Sequence, residues 1–205
     1  MKRIVIILTA LVLLATGCKQ RPNFTLTSDL VESRFDSKTD SLFLQSEALP
    51  GPAVVHVKDG SFSYSGRVEE PAIATLRGGG IMNATQHFIL EKGTITFKNG
   101  IPCGTPLNDA VRELTISLRK LAADRFGDKK ANAAEAARLV REYLAAHGDD
   151  PSAIIALLSA RRLVSPDTMA ELIALTSKDI QNDGNIRSIT KQISRAKRKS
   201  AAQPE

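Results

Sequence analysis

AVVHVKDGSFSYSGRV, residues 53–68, decides the fold class. Apolar and polar residues alternate on both sides of Lys58-Asp59-Gly60, the period of two that belongs to a half-buried strand. Asp-Gly between two such runs predicts a hairpin, because glycine accepts a positive φ without steric cost. The same period extends in both directions, through FTLTSDL (24–30) and SLFLQ (41–45) on one side and AIATLR (72–77), QHFILE (86–91) and GTITFK (93–98) on the other. Glu91-Lys92-Gly93 reads as a second hairpin connection, and Phe62 with Tyr64, like Ile95 with Phe97, should share one face. Seven short strands at this spacing predict an antiparallel β-sandwich or partly open barrel over residues 24–104.

At Gly100 to Gly104 the period changes. Thr105-Pro106 offers an N-cap and a first-turn proline, and Leu107, Val111, Leu114, Leu118 and Leu121 follow at helical intervals. Residues 131–147 repeat the theme through Leu139, Val140, Tyr143 and Leu144. Asp150-Pro151 and Ser165-Pro166 each open a shorter helix, and a last one from about Asn185 carries Ile186, Ile189 and Ile193. The expected class is α+β, with a helical region over 105–198 and a frayed tail at 199–205.

The amino-terminal side has another character. Lys2 and Arg3 precede an apolar run, Ile4 to Leu14, interrupted only by Thr9. That is about half the ~20 residues of a membrane-spanning helix and has the form of a signal-peptide core. It ends in Leu14-Ala15-Thr16-Gly17-Cys18, which resembles a bacterial lipobox. The resemblance implies a leader at residues 1–17, a lipidated, palmitate-bearing Cys18 and a tether at 18–23; Lys19 in place of an aspartate implies the outer membrane, facing the periplasm. The other reading is a plain secretory signal followed by an ordinary cysteine.

The net charge of +6 must be located before it is interpreted. Lys2 and Arg3 supply two of the six charges; residues 187–205 hold six cations against Glu205, which leaves the residues between at one net negative charge. A basic tail without interleaved aromatics argues against a nucleic-acid partner.

Four segments together carry a resemblance. FTLT (24–27), VKDGSFSYSGRVEEPAIATLR (57–77), FILEKGTITF (88–97) and GTPLNDAVREL (104–114) follow in an order similar to the bacterial family called domain of unknown function 4369, over roughly Phe24 to Ile193. Members carry a strand-rich module behind a lipobox or signal peptide. Many continue through helices resembling DPSAIIALLSARRLVSPDTMAELIAL (150–175) into a thioredoxin-like domain of the thiol-disulfide interchange type. Tryptophan and CxxC do not occur in this sequence, which ends at Glu205, so no catalytic residue carries over. The resemblance implies a shared module and compartment, with a truncated reading frame as one further reading.

Few side chains suggest chemistry. Cys103, in IPCGTP, is the thiol left once Cys18 is acylated: a candidate redox or partner thiol, or a small residue filling the turn before the helix. His56, His87 and His147 lack metal-ligand spacing, and no metal or other cofactor is expected. Ser117 to Lys120 and Ser188 to Lys191 match SxxK formally, without the companion motifs that pattern needs. Gly78-Gly79-Gly80 lies between two strands, which excludes a Walker-type phosphate loop and makes it the candidate binding loop. Two functions follow. The first is a non-catalytic, membrane-anchored envelope module presenting a surface to another envelope protein. The second is an accessory of a thiol-disulfide interchange system, acting with a thioredoxin-like partner through Cys103.

Overall fold

The computed structural model describes residues 21–78, 84–124 and 126–201. Eight strands form one sheet: β1 (Phe24–Asp29), β2 (Ser41–Ser46), β3 (Ala53–Lys58), β4 (Ser61–Gly66), β5 (Ala72–Gly78), β6 (Thr85–Leu90), β7 (Gly93–Lys98) and β8 (Ile101–Cys103). Their order is β6-β5-β2-β3-β4-β1-β7-β8, nearly closed into a barrel. Helices follow: α1 (Leu30–Ser33) lies between β1 and β2, and α2 (Pro106–Ala123), α3 (Lys129–His147), α4 (Ser152–Ala160), α5 (Pro166–Ala174), α6 (Lys178–Asn182) and α7 (Gly184–Ala201) come after the sheet. The α+β class and the partly open barrel expected from the alternation are what the chain forms.

The hairpin at 53–68 forms as its sequence dictates. Val57 pairs with Phe62 and Lys58 with Ser61, while Asp59 (φ 52°) and Gly60 (φ 73°) make the turn. Two positive φ values give the turn the twist of its strands, and the Asp-Gly pair tolerates them. On the inner face Phe62 is buried in one core with Leu26, Leu42, Val55 and Phe97, and Phe88 meets Phe97 edge-on across the interior at 5.7 Å. Outward residues of β5 and β6, Ile73 and Ile89, join a second core built with Leu118, Val140, Leu157 and Ile186. The helical layer therefore covers this side of the barrel, and Ile89, buried completely, lies between the two cores.

Three expectations are corrected. Glu91-Lys92-Gly93 does not join a hairpin: β6 is an edge strand, and β7 pairs with β1 and β8. The β1–β7 pairing is parallel, Phe24 to Gly93 and Leu26 to Ile95, so the sheet is mixed. An eighth strand, Ile101–Cys103, follows Asn99 (φ 54°) and Gly100 (φ 65°). Asn-Gly is a strong hairpin signal, but a three-residue strand containing Pro102 has no visible period. At the other end of the chain the last helix continues to Ala201.

The strand registers give the barrel two ends. The start of β1, the turn after β6 and Cys103 lie at the near end; α1, Lys58-Asp59-Gly60, Asn99-Gly100 and the end of β5 lie at the far end. The barrel is open along one seam, between β6 and β8, and α2 runs beside that seam from near end to far.

Candidate functional site

At the near end the seam is sealed by side chains. Asn108, on the first turn of α2 and completely buried, substitutes for a missing strand: its Oδ1 accepts from Ile89 N at 2.9 Å, and its Nδ2 donates to Ile89 O at 2.7 Å. The second Nδ2 hydrogen reaches Thr105 Oγ1 at 2.8 Å. Glu91 Oε1 accepts from Leu107 N (2.9 Å) and Asn108 N (3.2 Å), which places a carboxylate on the orphan amides of the helix start. Thr105, expected to cap the helix, makes no side-chain cap bond; Glu91 does that work from the preceding strand connection. Buried polar groups here find partners, as a low-dielectric interior demands.

At the far end the same seam opens into a crevice of about 350 Å³. Arg34 and Arg119 stand at Gly100. Arg119, on α2, donates from Nη1 to Asn99 O (2.9 Å) and from Nη2 to Gly100 O (2.7 Å), which clamps the β7–β8 hairpin. Glu32 holds it from the other side through Asn99 N (2.8 Å) and Gly100 N (2.5 Å). Arg34 closes α1 in the left-handed region (φ 60°), and its stem passes so near Gly100 that a Cβ there would lie 3.0 Å from Arg34 Cδ. Among the described residues the Arg34 guanidinium has no ion-pair or hydrogen-bond partner. Burial, with the adjacent charge of Arg34, holds Arg119 below the ordinary arginine range.

Gln86, from β6, completes the mouth; its Oε1 is buried and meets no donor among the described residues. Ile155 and Leu158 of α4 with Pro102 of β8 give the crevice an apolar wall, and no acidic side chain lines it among the described residues. His87 borders it, with Nδ1 3.3 Å from Thr75 Oγ1. Burial, helped by the charges of Arg77 and Arg161, holds this imidazole below its usual value and keeps it neutral near pH 7. The arrangement can hold a small anion with an apolar body.

The residues singled out in the sequence fall apart in space. Gly78 ends β5, buried, and a Cβ there would lie 2.5 Å from the Phe35 ring; Gly79, Gly80 and the preferred anchor Cys18 lie outside the described residues. Cys103 ends β8 at 6% exposure, and burial pushes its thiol up, away from the thiolate that reacts. His56 is exposed on β3, as its alternation predicts. Ser117 and Ser188 make no hydrogen bond to Lys120 or Lys191. Among the described residues no cluster of His, Cys, Asp and Glu is arranged to hold a metal ion, and no helix is long and apolar enough to cross a membrane.

One constellation escaped the sequence. Ser152 donates to Asp150, whose other oxygen lies 2.9 Å from His147 Nδ1; Tyr143 stacks on His147 at 4.5 Å and reaches Ser152 Oγ at 2.5 Å. The order is serine, aspartate, histidine, so no imidazole contacts the serine and the triad logic fails. The group fastens α4 to α3, and burial raises the Tyr143 phenol to about 12.

No family model matches the chain, and no curated protein or solved structure matches it.

Proposed function

We propose that the protein is a non-catalytic, lipid-anchored module of the bacterial cell envelope that recognises another envelope component through its folded surface. The observation that carries this reading is the separation of the two ends of the barrel. Cys18 precedes β1 by six residues, which reach at most about 21 Å when extended. β1 starts at the near end, and its six residues rise about 20 Å toward the far end. An anchor on Cys18 therefore holds the sealed end toward the membrane and turns the open crevice away from it. The lipobox-like LLATGC and the resemblance of the strand segments to a family of envelope lipoproteins support the compartment. Burial of Cys103 lends the thiol-exchange alternative no support.

Cells grown with an alkyne-tagged palmitate test the anchor. The natural chain should take up the label and fractionate with the outer membrane, and Cys18→Ala should do neither. Equal labelling of the two chains, or recovery of the natural chain in the soluble periplasmic fraction, contradicts the proposal.

A further inference from the structure

We infer that the far-end crevice binds the carboxylate end of an apolar acylated amino acid, the chemistry shared by a peptide C-terminus and a free N-acyl amino acid. This rests on the reading of the far end as a recognition surface, and it adds what is recognised there.

Three features of the crevice select the ligand together. The first is charge. Arg34 and Arg119 approach one another at Gly100, and among the described residues the lining contains no carboxylate and the Arg34 guanidinium is uncommitted. Two arginines side by side repel unless an anion lies between them, and the planar guanidinium matches carboxylate and phosphate oxygens in pairs. Arg119 spends donors on two carbonyls, so it fixes the geometry, while Arg34 has donors to give. The second is the apolar wall of Ile155, Leu158 and Pro102, which a hydrated inorganic anion would leave unfilled. The third is Gln86 Oε1, a buried acceptor without a donor. Leaving such a group unpaired is costly, and a ligand N–H beside the carboxylate would satisfy it.

Anion, N–H and apolar side chain in one small unit describe the last residue of a peptide. About 350 Å³ is enough for one such residue and little more.

Titration of the full-length chain carrying Cys18→Ala, followed by nuclear magnetic resonance, tests the inference with four probes: N-acetyl-L-leucine, its primary amide, a hexapeptide ending in leucine, and inorganic phosphate. The expected result is saturable shifts at His87, Ser159 and Gln86 with N-acetyl-L-leucine. The amide should bind at least tenfold more weakly, and phosphate should be no better than the amide. A hexapeptide that binds tighter than N-acetyl-L-leucine identifies a chain end as the source; equal binding identifies the free acid. Arg34→Gln, which removes a charge without touching the hairpin clamp, should weaken the acid about tenfold and leave the amide unchanged. Equal binding of acid and amide, shifts outside the crevice, or no response to any probe overturns the inference. Such a failure leaves membrane labelling at Cys18 unaffected, so it is distinguishable from failure of the anchoring proposal.

Discussion

The two ends of one seam are built by opposite rules. Between β6 and β8 the sheet lacks a ladder, so both edges expose backbone groups that must be satisfied or hydrated. At the near end Asn108 pairs with both polar groups of Ile89, Glu91 covers the first amides of α2, and Ile89, Glu91 and Asn108 are all buried. At the far end two cations crowd together, an amide oxygen is left over, and the gap stays open to solvent. Charge that would cost stability in a sealed site is tolerated at an open one. The near end does the work of folding, and the far end is free to do something else.

Breaking the sealed end should therefore cost far more than altering the open one. Asn108→Ala strips Ile89 of both partners, and urea denaturation should show a loss of about 3 kcal/mol. In a chain with Cys18→Ala, the same change should speed labelling of the buried Cys103 thiol about 100-fold, since ~3 kcal/mol raises the open population by that factor. A loss below about 1 kcal/mol would show that water replaces the amide, and would erase the contrast.

Gly78→Ala drives a methyl into the Phe35 ring and should cost about 2 kcal/mol by the same measurement; an unchanged midpoint would mean that the ring gives way freely. Glu91→Gln keeps an acceptor at the start of α2 and removes the charge, for an expected loss of about 1 kcal/mol. Arg34→Gln, at the open end, should leave stability within about 0.5 kcal/mol, because the Arg34 guanidinium makes no bond that holds the fold. Phe126→Ser sharpens the scale at its lower limit: this ring is fully exposed, at 102%, and its removal should be undetectable within about 0.5 kcal/mol.

What the sequence made legible was local. Residues 53–68 carry their own turn, their own alternation and hence their own hairpin; the helices from Pro106 onward carry their own period and proline starts. Pairing across long separations left no such trace. β1 joins β7 in parallel because the seam, and not the turn at Lys92, decides which strands meet. Asn108 reads in sequence as an ordinary polar residue on a helix, and Glu91 as part of a turn; only folding brings them 17 residues apart in the chain to 3.2 Å in space. Asn99-Gly100 was a readable signal, hidden by the shortness of the strand after it. The crevice takes its side chains from α1, β6, β8, α2 and α4, none of which contributes a motif.

Photocrosslinking in whole cells tests whether the open end of the barrel is the recognition surface and the sealed end faces the membrane. A benzophenone side chain at Thr85, on the far rim, and another at Glu47, exposed at the near end, probe the two poles of the barrel in the chain that keeps Cys18. Thr85 should capture one discrete envelope protein, Arg34→Gln should weaken this capture, and Glu47 should yield lipid adducts without that protein. Capture of the same protein from Glu47 and none from Thr85 would contradict this orientation.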